Sequence, residues 1–110
     1  MQIKDSVIVV TGAAGGIGRA LVARFVSAGA RAVVAVDIDA DSVQRTAGEL
    51  GCIAMTADVT SETDVARIIE ETERQVGPID LYCNNAGVAT GASEQSNDNE
   101  WALSWAVNVM

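Results

Sequence analysis

The chain has 110 residues, 49% of them hydrophobic and 20% charged, with a formal net charge of −8. That length holds one domain at most, and the composition is that of a globular protein rather than a disordered one. The acidic balance repels phosphodiester backbones and anionic membranes, and the absence of histidine removes histidine-based catalysis and most zinc sites.

In chain order, "MQIKDSVIVVTG" carries too short an apolar run for a signal peptide, and no later segment approaches the ~20 apolar residues of a membrane span. A cytoplasmic protein is expected. "SVIVVT" (6–11) is a continuous β-branched run, as in a strand covered on both faces. Ile17, Leu21, Phe25 and Ala28 then follow at helical spacing, and Gly29 stops that helix. "AVVAVD" (32–37) is a second buried strand. Val43, Ala47 and Leu50 predict a helix over 39–50, ended by Gly51.

"CIAMTAD" (52–58) makes a third strand, and Cys52 within it reads as a small core residue. Ser61, three residues before Asp64, signals a helix start, and Val65, Ile68, Ile69, Thr72 and Val76 form its inner stripe up to Gly77–Pro78. "IDLYCN" (79–84), with Cys83, is a fourth strand. A polar loop (90–97) leads to a last helical pattern that starts near Asn97 or Asp98 and carries Trp101 and Trp105 one turn apart. Buried strands alternating with helices predict an α/β fold of Rossmann type, a parallel sheet with helices on both faces and about four βα units. Receiver-like and flavodoxin-like sheets share this pattern, so the fold alone names no ligand.

The chemistry begins at "TGAAGGIGRA" (11–20), where four glycines join the first strand to the first helix. Unpaired amides and the helix dipole at such a turn favour a phosphate, and glycines let it approach the backbone. A tight turn with no ligand is the plainer alternative. The spacing is Thr-Gly-x-x-x-Gly-x-Gly, on Thr11, Gly12, Gly16 and Gly18, not GxGxxG. Here the sequence resembles the short-chain dehydrogenase/reductase family. "NNAG" (84–87) ends the fourth strand, "DVT" (58–60) ends the third, and "WAVNV" (105–109) resembles the family's fourth helix. The likeness covers the whole chain, with four motifs in the family's order.

Asp37 ends the second strand, nineteen residues after Gly18, near the interval at which a carboxylate meets the adenosine ribose. It would repel a 2′-phosphate, and a role as helix N-cap or solvated carboxylate is its simpler alternative. Family members that use NADP often carry a basic residue where this chain has Gly15 or Ile38, so the resemblance implies NAD. It also implies that Gly12, Gly16, Ile17, Gly18 and Ile38 surround the cofactor. Asp58 and Val59 would meet the adenine, although Asp58 also suits a turn before Ser61. Asn85, Ala86 and Gly87 would lie against a ribose, while Asn84 and Thr11 suit structural roles. Asn108 resembles the family's helix-interrupting Asn, whose carbonyl positions a water in a proton relay. An ordinary helix-end residue is the equal alternative.

The family's catalytic Tyr-x-x-x-Lys pair is absent: Tyr82 is followed four residues later by Ala86, and Lys4 is the one lysine. Tyr82 falls inside a strand and is expected in the core. The resemblance therefore implies the cofactor-binding part of an NAD-dependent oxidoreductase, cut short within the fourth helix and without turnover by itself. Strand order 3-2-1-4 would leave the fourth strand as an open edge and the last helix as a surface for self-association. A small alcohol or ketone would be the substrate of the full-length parent, with neither nucleic acid nor membrane as partner. An S-adenosylmethionine-dependent methyltransferase shares the glycine turn and the acidic residue. A non-catalytic dinucleotide-binding or dimerisation module is the third possibility.

Overall fold

The computed structural model describes residues 2–85 and the backbone of a strand at 106–109. The elements run β1 (Val7–Thr11), α1 (Gly16–Ser27), β2 (Ala32–Asp37), α2 (Ala40–Leu50), β3 (Ile53–Thr56), α3 (Glu62–Gln75), β4 (Leu81–Asn84) and β5 (Ala106–Val109). Sheet order is β3-β2-β1-β4-β5, with β1 to β4 parallel as expected.

Every residue of β1 is buried, because both faces of the sheet are covered. Alternation divides its side chains between two layers. Ile8 and Val10 join Val33, Ala35, Leu81 and Cys83 against α1 and α2, where Val22 and Val43 close the layer. Val7 and Val9 join Val34, Val36 and Tyr82 on the opposite face, against Ile68 of α3. Each aliphatic side chain so buried contributes about 1.5–3 kcal/mol, enough for a core built almost without aromatics. Tyr82 is a core residue, 7% exposed, and burial raises its phenol pKa. Both cysteines are free thiols; Cys83 is buried and Cys52 half-buried.

Helix boundaries follow local chemistry. Asp39 caps α2 by accepting the Ser42 amide at 3.1 Å, and Ser61 caps α3 by accepting the Asp64 amide at 3.2 Å. The capping box at α3 is displaced. The Ser61 amide donates to the Asp58 carbonyl, so the Asp64 carboxylate reaches back to the Asp58 amide at 2.8 Å.

Two expectations need correction. Of the expected stripe on α1, Leu21 and Phe25 pack against the core, but Ile17, 41% exposed, and Ala28 face outward, and the fully buried residues are Gly18 and Val22. The helix packs its glycine against the turn below, which rotates Ile17 outward. The helix expected through the C-terminal residues is also replaced, over Ala106–Val109, by a strand antiparallel to β4. A strand edge presents a row of unpaired amides and carbonyls, and Ala-Val-Asn-Val, with two β-branched residues, suits pairing with it. β4 is therefore not the open edge that order 3-2-1-4 implied. Trp101 and Trp105 lie outside the described residues.

Candidate functional site at the strand ends

Parallel pairing brings the C-terminal ends of the strands to one edge of the sheet. Thr11 stands beside Val36, Asp37 beside Thr56, and Val10 beside Cys83. The strand order reverses between β1 and β4, since β2 and β3 lie on one side of β1 and β4 on the other, and α/β sheets bind ligands in the crevice at such a point. Thr11, the glycine turn, Asp37, Asp58 and Asn85 all follow from these ends.

The turn is fixed by two glycines. Gly12 has φ 63°, a conformation that side chains disfavour. Gly18 sits so close to the turn that a Cβ there would stand 2.1 Å from the Gly12 carbonyl oxygen. A Cβ at Gly16 would meet nothing within 4 Å, so the turn's outer side is open. No side chain caps α1 at Gly15, in contrast to α2 and α3. The first amides of α1 thus keep their donors for a ligand at the positive end of the helix dipole.

Asp37 is not the cap of α2; Asp39 has that task. Its Oδ2 accepts the Ala14 amide of the glycine turn at 3.0 Å, and its Oδ1 accepts the Asp39 amide at 3.1 Å. The carboxylate therefore sits against the turn. Ile38, next in sequence, is 67% exposed; it and Ile17 are the large apolar side chains exposed among the described residues. The contact with Ala14 had no signal in the sequence, because it arises from an amide and any residue at 14 would supply it.

Thr11 joins β1 to β4. Its hydroxyl accepts the Asn85 amide at 2.9 Å and has two acceptors within reach of its single proton, Asn84 Oδ1 at 3.1 Å and the Cys83 carbonyl at 3.4 Å. The structural roles expected for Thr11 and Asn84 are those found. Asn85 is 8% exposed, and its Oδ1 is buried with no donor among the described residues. A buried carbonyl oxygen without a partner is costly.

Asp58 turns onto its own loop. Its Oδ1 accepts the Thr60 amide at 2.9 Å and the Thr60 hydroxyl at 2.6 Å, and these bonds hold its pKa below the ordinary value. Val59, half-buried, packs against the α3-side core. Both follow the end of β3, beside the end of β2. Asn108 lies on β5 opposite Tyr82, in the strand rather than at its end, so the argument from helix interruption does not apply. Ala86 and Gly87 fall outside the described residues. Among those described, no group of three or more acidic, histidine or cysteine residues could hold a metal.

Comparison with known proteins places this geometry. The short chain dehydrogenase family model matches residues 6–110. The chain is 47% identical over 93 residues to 1-deoxy-11-beta-hydroxypentalenate dehydrogenase of Streptomyces exfoliatus, covering 80% of this chain and 34% of that protein. It is 38% identical over 105 residues to (+)-cis,cis-nepetalactol synthase NEPS3 of Nepeta racemosa, covering 93% and 39%. The crystal structure of a hydroxysteroid dehydrogenase from Escherichia coli superposes with a TM-score of 0.73 at 31% identity, over 78% of this chain and 38% of that one. The chain thus spans between a third and two-fifths of the length of these relatives. The methyltransferase alternative finds no support among these matches. With glycine turn, strand-end carboxylate and family match in agreement, the chain belongs to the short-chain dehydrogenase/reductase family.

Proposed function

We propose that the chain is the NAD-binding part of a cytoplasmic short-chain oxidoreductase, whose full form transfers hydride at an alcohol or ketone carbon. The family uses nicotinamide dinucleotides, and the residues present fit one. The uncapped first turn of α1 suits the pyrophosphate, and the Oδ1 of Asn85, which has no donor among the described residues, suits a ribose hydroxyl. Gly12, Gly16, Ile17 and Gly18 form the cradle. Ile38, Asp58 and Val59 border the adenosine side, and Asn85, Ala86 and Gly87 the ribose side.

The observation that carries NAD over NADP is the position of Asp37. Its carboxylate is fixed against the glycine turn by the Ala14 amide, and Asp39 and Asp41 follow it closely. A 2′-phosphate placed there would meet like charge, whereas free ribose hydroxyls would find acceptors.

The chain by itself is expected to bind without turnover. Tyr82 is buried in mid-strand, paired in register with Val9, and Lys4 precedes β1 at the opposite end of the sheet from the turn. The two cannot act together as a proton donor and its activating cation.

Titration of NADH and NADPH, followed by energy transfer from Trp101 and Trp105, tests the proposal. NADH should bind at least tenfold more tightly. Equal or tighter NADPH binding overturns the reading of Asp37, and failure of both nucleotides to bind overturns the proposed cofactor site.

A further inference from the structure

Asp37 makes a contact that ribose recognition does not require. Its Oδ2 accepts the amide of Ala14, twenty-three residues earlier and inside the glycine turn. One residue back, the Ala13 amide donates to the Val36 carbonyl at 3.0 Å. The turn is thus tied to the end of β2 by two consecutive amides, one held by backbone and one by a side chain. The same carboxylate holds the Asp39 amide, and Asp39 caps α2. Three segments that border the crevice converge on this one group.

We propose that Asp37 is a positioning residue for the glycine turn as well as a selector of the ribose: by accepting the Ala14 amide it holds the turn in its phosphate-ready shape before a nucleotide arrives. The inference rests on the dinucleotide reading of the site. Turn residues from Gly12 to Gly16 lie between β1 and α1 with little side-chain volume to pack, so fixed hydrogen bonds must restrict them. Loss of the Ala14 bond frees the turn, and the phosphate must then order it on binding. Selection against NADP and order in the turn are therefore coupled through one carboxylate, and exchanging that carboxylate for a smaller neutral side chain disturbs both.

Two neutral variants separate the tasks. Asp37→Asn and Asp37→Ala both remove the charge, but asparagine keeps one carbonyl oxygen. The bond to Ala14 is partly buried and that to Asp39 is exposed, so the asparagine oxygen turns to Ala14 and water serves Asp39. The probe is 2′,3′-dideoxyadenosine diphosphate, which has the phosphates and adenine but no ribose hydroxyls for residue 37 to recognise. Asp37→Asn should bind this probe at least fivefold more tightly than Asp37→Ala, while both lose affinity for NADH. Equal affinities for the probe overturn the proposal. Amide hydrogen exchange in the wild-type chain without nucleotide gives a measurement independent of variant folding. Ala14 should exchange at least tenfold more slowly than Gly16, and equal rates overturn the proposal. Failure of the wild-type chain to bind NADH would instead count against the cofactor reading, while the exchange rates would still judge the turn.

Discussion

Gly18, in the first turn of α1, stands directly over the carbonyl of Gly12, and a Cβ on Gly18 would also lie 2.7 Å from the Gly12 carbonyl carbon and 2.9 Å from Ala13 Cα. All three atoms are backbone, so no side-chain rotation relieves the contact. Gly18→Ala must push α1 away from the turn, and overpacking of this kind costs about 1–3 kcal/mol, at times more. Gly16→Ala is the control. Its Cβ would meet nothing within 4 Å, so thermal stability should hold or rise slightly while NADH affinity falls, because the methyl group enters the open side of the turn. Thermal melts of the two variants read the contrast, and a Gly18→Ala chain as stable as wild type would refute the packing argument.

Thr11 carries the contact between β1 and β4 at the crevice. Thr11→Val keeps the shape but removes the oxygen that accepts the Asn85 amide and donates toward Asn84 and the Cys83 carbonyl. Buried groups left without partners cost about 1–3 kcal/mol, whereas Thr11→Ser keeps the hydroxyl and should lose less. Urea denaturation should place the valine variant below the serine variant. The reverse order would show that β-branching, not the hydroxyl, matters at this position.

Much of this arrangement was legible in residue types. The bounds of β2 coincide with "AVVAVD", because a continuous apolar run ending in a charged residue leaves little choice of register or end. Ser61 was readable as a cap, since its hydroxyl needs only an amide three residues on. Asp39 was hidden by Asp37: two acids in one loop suit the same cap, and only the backbone path decides which faces the helix. The outward turn of Ile17 was illegible because it follows from the close seat of Gly18, a tertiary contact. The strand at 106–109 was missed because "WAVNV" has no strict period over so few residues, and the free edge of β4 decided its conformation. At the site, glycines and carboxylates could be placed by spacing, while the Ala14 bond to Asp37 could not.

Cys83 provides a test of core integrity. It is buried in the layer beneath α1, and burial pushes its thiol up to about 11. At pH 8 roughly one thiol in a thousand would then be thiolate, and thiolate is the reactive form. Cys52 is also raised by burial but is half-buried. Native chain should therefore label at Cys52 before Cys83, with Cys83 reacting on the timescale of unfolding. Mass spectrometry after a pulse of iodoacetamide assigns the sites, and rapid labelling of Cys83 in folded protein would contradict the layer described.

Acid should weaken the fold through carboxylates at turns and helix surfaces. Asp39 is lowered by the Ser42 amide and hydroxyl, Asp58 by the Thr60 hydroxyl and amide, and Glu71 by Gln75 and then Arg74. A group whose pKa is lower in the folded state stabilises it above the unfolded pKa, and that stability is lost as pH falls through the folded value. The unfolded values lie near about 3.9 for Asp and 4.3 for Glu, so the thermal midpoint should stay level from neutral pH to about 5 and fall below about 4. Asp39 is exposed, and Asp58 and Glu71 are half-buried with their carboxylates open to solvent, which keeps the effect modest and sensitive to salt. Ser42→Ala with Thr60→Val removes both hydroxyl donors and leaves the amides in place. The double variant should melt lower at pH 7 yet lose less between pH 5 and 3, so its curve approaches that of the wild type in acid. Parallel curves across that range would mean that these hydroxyls do not set the acid response.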